Sequence, residues 1–130
     1  MKEESTRDSV LVIDDNSDFR ELIGMIGQLY GVRVLEAPDC RKGIKVLTQE
    51  HARIKLVFLD YFMPGMDPAP CAQAVMSKAG PLVPVVLVTA APDPSSRALE
   101  LKIARWVSKP VDPSILTGMM TEDIAMRGKH

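Results

Sequence analysis

The sequence predicts an α/β fold in which a parallel sheet is covered by helices on both faces. Short, β-branched apolar runs recur at Val10–Ile13, Leu56–Leu59 and Val83–Val88, the last broken only by Pro84. They are unbroken rather than alternating, as strands buried on both faces are. Stretches with apolar residues at helical spacing lie between them. Strand and helix signals alternate five times along the chain, and such alternation implies parallel strands joined by crossover helices.

The first strand, Val10–Ile13, runs into Asp14 and Asp15. Asn16 or Ser17 then caps a helix whose apolar stripe is Phe19, Leu22, Ile23, Ile26, Leu29 and Tyr30, with Gly31 as its terminator. Val32–Ala37 reads as the second strand. Asp39 caps a helix through about Gln49, with Ile44, Val46 and Leu47 inward and Gly43 weakening it. The third strand is LVFLD, ending on Asp60. Pro68 and Pro70 precede a helix through about Lys78, with Cys71, Ala74 and Val75 on one side. Val83–Thr89 is the fourth strand. Asp93 caps a helix through about Lys102, anchored by Leu99 and Ile103. Arg105–Ser108 is the fifth strand, followed by Lys109 and Pro110. Asp112 opens the last helix, with Ile115, Leu116, Met119 and Met120 inward.

A chain of 130 residues, 46% apolar and 25% charged, suits one domain with one core and no disulfides. We expect a flexible tail over 1–8, a domain over 9–126 and a short tail over 127–130. The net charge of −1 argues against direct nucleic-acid binding. The apolar runs are strand-sized, below the roughly 18 residues of a membrane helix. The N-terminal MKEESTRDS lacks the apolar region of a secretory signal. Cys40 and Cys71 show no framework or zinc spacing and read as buried reduced thiols of a cytoplasmic protein. His51 and His130 read as structural or solvated. No repeat, linker or second domain is recognisable.

The chemistry falls at the carboxyl ends of strands, where open parallel sheets bind ligands. The first strand delivers Asp14 and Asp15, the third Asp60, the fourth Thr89 and the fifth Lys109. Taken singly, each has an ordinary structural explanation: an acidic pair or a lone Asp is commonly a cap, and Lys before Pro is commonly solvated. Their shared rim is the signal. Clustered carboxylates raise one another's pKa unless a cation is near, and oxygen donors suit Mg²⁺. Asp60 then fits a carboxylate nucleophile that forms an aspartyl phosphate, with Lys109 and Thr89 on the phosphoryl oxygens.

VLVIDDN, LVFLDYFMPGMD, VVLVTA and WVSKP, in this order, resemble the receiver domain of bacterial two-component response regulators, over about residues 9–126. The resemblance implies a flavodoxin-like (βα)5 fold with strand order 2-1-3-4-5. It implies a phosphoacceptor at Asp60. Mg²⁺, with Mn²⁺ as an alternative, would be held by Asp15, Asp60 and the Phe62 backbone carbonyl, and by Asp14 through water. Thr89 and Lys109 would contact the phosphoryl group, and Thr89 with Trp106 would form the switch pair. The bond before Pro110 is cis in the family. Phe62 and Ala91 hold the positions that set dephosphorylation rate, and neither side chain can orient water by a hydrogen bond. The implied donor is a histidine kinase or histidine phosphotransfer protein. The implied output face is helix 4, strand 5 and helix 5, for a downstream protein or a homodimer. Such a domain is a signalling element rather than an enzyme.

Three rivals fit less well. A phosphoaspartate-forming phosphatase resembles this pattern but calls for a second Asp where Phe62 stands. A pseudo-receiver usually lacks one of the acids or the lysine. A flavin-binding protein of similar fold needs a phosphate loop rich in Ser, Thr and Gly after the first strand, and this chain has none there.

Overall fold

In a computed structural model of the protein, each apolar run is a strand and each amphipathic stretch a helix. The structure describes residues 8–50, 52–63 and 65–128, with side chains to 122. In chain order, β1 is Ser9–Ile13, α1 Ser17–Tyr30, β2 Arg33–Ala37, α2 Cys40–Glu50 and β3 Ile54–Asp60. Then follow α3 Pro68–Ala79, β4 Val85–Thr89, α4 Pro94–Leu101, β5 Arg105–Ser108 and α5 Pro113–Gly128. The strands pair in parallel in the order β2-β1-β3-β4-β5, the flavodoxin-like arrangement expected from the sequence. The expectations for residues 1–7, His51 and His130 fall outside the described residues; Asp8, expected in the N-terminal tail, accepts the Arg33 N–H through its carbonyl at 3.3 Å, and Arg127 and Gly128, expected in a C-terminal tail, continue α5.

Side chains along a strand alternate between faces, and here both faces are buried. Leu11, Ile13, Val57, Leu59 and Leu87 pack against Leu47 of α2, Val75 of α3 and Leu101 of α4. Val10, Val12, Leu56, Phe58, Val88 and Val107 pack against Phe19, Ile23 and Ile26 of α1 and Leu116 and Met120 of α5. Each fully buried Leu, Ile or Phe contributes roughly 1.5–3 kcal/mol relative to exposure.

Helix ends follow local chemistry. Asn16 Oδ1 accepts the Phe19 N–H at 3.0 Å, and Gly31 closes α1 at φ +74°. Pro68 and Pro70 lie inside the first turn of α3 rather than before it, because N–H groups there have no partner within the helix. Asp67 is the cap, accepting from Ala69 N at 3.4 Å. Asp93 makes no side-chain cap to α4; its carboxylate pairs with Arg97 at 3.3 Å instead. β4 starts at Val85, and the Pro84 carbonyl accepts the Val57 N–H at 3.0 Å just before it.

Four residues expected in the core are exposed. Leu29 lies on the flank of the buried line of α1, and Tyr30 closes that helix at the turn into β2. Leu99 faces solvent because Ala98 and Leu101 form the inward line of α4. Ile103 is buried, but beyond the helix, after Lys102 turns the chain at φ +61°. Ile115 is exposed beside the buried Leu116.

The cysteines overturn the expectation of separate reduced thiols. Cys40 opens α2, Cys71 sits in the first turn of α3, and the two form a disulfide with Cα atoms 6.0 Å apart. They are 31 residues apart in sequence, and only the packing of α2 beside α3 brings them together.

Gly43 also has a structural reason beyond its helix cost. A Cβ there would stand 2.7 Å from Ile13 Cγ1 and closer still to its Cδ1, and Ile13 is fully buried. Ala at 43 gains about 1 kcal/mol of helix propensity. Overpacking typically costs 1–3 kcal/mol. Gly43→Ala is therefore expected to lower stability by about 1 kcal/mol in urea denaturation; a stabilised variant would show that Ile13 can move aside.

Candidate acidic phosphoryl-acceptor site

Strand periodicity carries three charged groups to one rim. Asp14 continues the row of Val10 and Val12, Asp60 that of Leu56 and Phe58, and Lys109 that of Val107. All three rows face α1 and α5. Lys109 Nζ lies 2.8 Å from Asp14 Oδ2 and 3.8 Å from Asp60 Oδ1. Oxygens of Asp14, Asp15 and Asp60 lie within 4.8 Å of one another.

The acids differ in surroundings. Asp14 is buried, and its Oδ1 accepts the Asn16 N–H at 2.9 Å. Arg20 Nη1 donates to the Asp14 carbonyl at 2.7 Å, while its Nε pairs with Glu36 at 3.1 Å. Asp15 is exposed. Asp60 is 7% exposed, and its pKa is pushed up to about 7. Burial is the largest cause and the Asp14 charge the next; Lys109 opposes them, and Asp15 adds to the rise. The same excess of negative charge is what a divalent cation would relieve. Three hard carboxylates close together fit such an ion.

Thr89 is fully buried, and its Oγ1 accepts the Ala91 N–H at 3.0 Å. Its carbonyl accepts the Lys109 N–H at 2.8 Å, tying the ends of β4 and β5 together. Ala91 is buried and Phe62 is exposed, its ring edge-on to Tyr61 at 4.7 Å. Trp106 is 41% exposed. The Lys109–Pro110 bond is cis.

Several groups at the site were missed in the sequence. Arg20 on the Asp14 carbonyl is one. Tyr61, the residue after Asp60, packs on the opposite face of the sheet; its hydroxyl accepts from Arg97 Nη1 at 3.3 Å and donates to Glu100 Oε1 at 3.3 Å, joining the end of β3 to α4. Phe19 was read as plain core, yet Lys109 Nζ lies 4.9 Å from its ring centroid. Helical spacing shows which side of α1 is buried, not which strand end meets it.

The model of the response regulator receiver domain family matches residues 10–121. A probable transcriptional regulator, ycf27, from Galdieria sulphuraria is 31% identical over 112 residues, covering 85% of this chain and 42% of the relative. The chain spans less than half the length of the relatives it matches first. Among solved structures, a response regulator receiver domain protein from Clostridium thermocellum superposes with TM-score 0.78 at 24% identity, covering 93% of this chain and 97% of that one. The Saccharomyces cerevisiae receiver domain of Ssk1, solved with the histidine phosphotransfer protein Ypd1, gives TM-score 0.74 at 19% identity, covering 94% and 92%.

Proposed function

We propose that this chain, which belongs to the response regulator receiver family, accepts a phosphoryl group on Asp60 and relays that event to a partner. One observation carries the proposal: three carboxylates and the Lys109 ammonium converge on one rim, with Asp60 as the strand-end acid beside the lysine. An Asp60 oxygen attacks phosphorus while the bond to the donor's imidazole nitrogen breaks, and the departing imidazole takes up a proton. Lys109 stands within reach of both Asp14 and Asp60 and can shift its ammonium onto a phosphoryl oxygen. The Thr89 hydroxyl oxygen is oriented by the Ala91 N–H, so its proton can donate to another. Asp15, Asp60, the Phe62 carbonyl and, through water, Asp14 would hold Mg²⁺ or Mn²⁺, whose charge offsets that of the transferring group.

The donor is a histidine kinase or a histidine phosphotransfer protein, as the company of Ssk1 and Ypd1 supports. On phosphorylation Thr89 moves toward the new group and Trp106 turns inward, a two-state equilibrium biased at one end. The output face is α4, β5 and α5, for a partner or a second copy; its exposed apolar residues Leu99, Trp106 and Ile115 support this. The test is incubation with Mg²⁺ and acetyl phosphate, following intact mass, and with Mg²⁺ and beryllium fluoride, a non-covalent phosphoryl mimic, following Trp106 fluorescence. A gain of one phosphoryl group, absent in Asp60→Asn, is expected; no gain from either small donors or kinases overturns the proposal.

Phe62 and Ala91 flank the path of a water attacking the phosphoaspartate, and neither side chain can hydrogen-bond that water. Decay of the phosphorylated protein is expected to take hours. A lifetime of seconds would count against this placement.

A further inference from the structure

We propose that Phe19 is a positioning residue for Lys109, its ring holding the ammonium beside the acidic centre. This rests on the assignment of Lys109 as the phosphoryl-binding cation. Lys109 follows a short edge strand and carries a flexible four-carbon stem, so its backbone alone does not place the charge. Two kinds of partner do. Asp14 and Asp60 attract Nζ from one side, at 2.8 and 3.8 Å. The Phe19 ring faces it from another, with its centroid 4.9 Å away, within the range of a cation–π contact.

The ring is itself held in register with the acids. Asp14 Oδ1 accepts the Asn16 N–H at 2.9 Å, and Asn16 Oδ1 accepts the Phe19 N–H at 3.0 Å. One turn of chain thus fixes both the carboxylate and the aromatic that Lys109 touches. Packing beside Ile23 and Val12 does the rest, leaving Phe19 only 9% exposed. The chemistry of the ring matters too. A carboxylate at this position would also hold the ammonium, but it would neutralise the charge and compete with an arriving phosphoryl group. An aromatic face attracts the cation without neutralising it, so the ammonium stays aimed and available.

The test compares Phe19→Leu, which keeps apolar volume but removes the π face, with Phe19→Tyr, which keeps the face. Phosphorylation by acetyl phosphate with saturating Mg²⁺ is expected to slow about threefold to tenfold in Phe19→Leu and to recover in Phe19→Tyr. Mg²⁺ affinity, read by Trp106 fluorescence, is expected to hold within about twofold in both variants. A second measurement needs no phosphorylation. The Lys109 ε-methylene protons should carry an upfield ring-current shift in the wild type and in Phe19→Tyr, lost in Phe19→Leu. If the wild type takes no phosphoryl group but shows the shift, the proposed function fails while the contact stands. If Phe19→Leu reacts at the wild-type rate, or if Phe19→Tyr is as slow as Phe19→Leu, Phe19 is a packing residue and the inference is overturned.

Discussion

Asp60→Asn is expected to abolish phosphoryl acceptance and, without metal, to stabilise the folded protein at and above neutral pH. The first effect follows because an amide is no nucleophile toward phosphorus. The second follows from linkage. Burial and the neighbouring acids raise the Asp60 carboxyl to about 7. In the unfolded chain an aspartate titrates near 3.9. Between these values the folded state keeps a proton that the unfolded state has lost. The unfolded state therefore binds fewer protons, and stability falls as pH rises. The stabilisation is full below about pH 4 and is lost as pH passes through 7. Asparagine cannot ionise, so the variant lacks this slope. Allowing for solvent screening and relaxation of the site, its advantage at pH 8 should be about 1–2 kcal/mol.

Urea denaturation of both proteins at pH 5, 6, 7 and 8, in chelator, checks this. The gap should open with pH; parallel curves would refute the charge-excess account of the site. Mg²⁺ should reverse the order. At 100 times its dissociation constant a ligand adds about 2.7 kcal/mol to the protein it binds. The wild type is expected to gain this and Asp60→Asn to gain little of it, with the wild-type pH slope flattening because the cation competes with the proton.

The parts of this structure that the sequence revealed are those in which one short stretch carries its own reason. Val10–Ile13 and Leu56–Leu59 are apolar without alternation because helices cover both faces, and Asp14 and Asp60 follow them as strand-end residues. Asn16 and Gly31 bound α1 through the local hydrogen-bonding and φ preferences of their own types. What was misread depends on partners distant in sequence. Leu99 and Ile115 have apolar spacing but face outward, since spacing defines a stripe and not what covers it. Lys109 beside Phe19 joins the end of β5 to the start of α1 across the sheet. No single stretch accounts for the buried carboxylate of Asp60, whose charged neighbours Asp14 and Lys109 come from the ends of β1 and β5.

Reducing the Cys40–Cys71 bridge is expected to destabilise the protein strongly while leaving phosphoryl transfer intact. Cross-linking residues 31 apart restricts the unfolded chain, and the chain-entropy model assigns that about 3–4 kcal/mol. Most domains have only about 5–15 kcal/mol in all. Denaturation with and without dithiothreitol reads the effect without changing side-chain volume. Cys40→Ala with Cys71→Ala should be weaker still, because both sulfurs are buried and their loss leaves cavities. Thiol titration of the unfolded, unreduced protein should find no free sulfhydryl; two would refute the bridge. The site should tolerate the loss for a topological reason. The cystine lies between α2 and α3, on the face carrying Leu11, Ile13 and Leu59. Asp14, Asp60 and Lys109 belong to rows on the opposite face, braced by α1 through Asn16, Phe19 and Arg20. Reduced protein, assayed below its unfolding transition, should therefore be phosphorylated by acetyl phosphate within about twofold of the oxidised rate. A larger loss would mean that the loop from Tyr61 to Asp67, which enters α3 just before Cys71, transmits the state of the bridge to the acceptor.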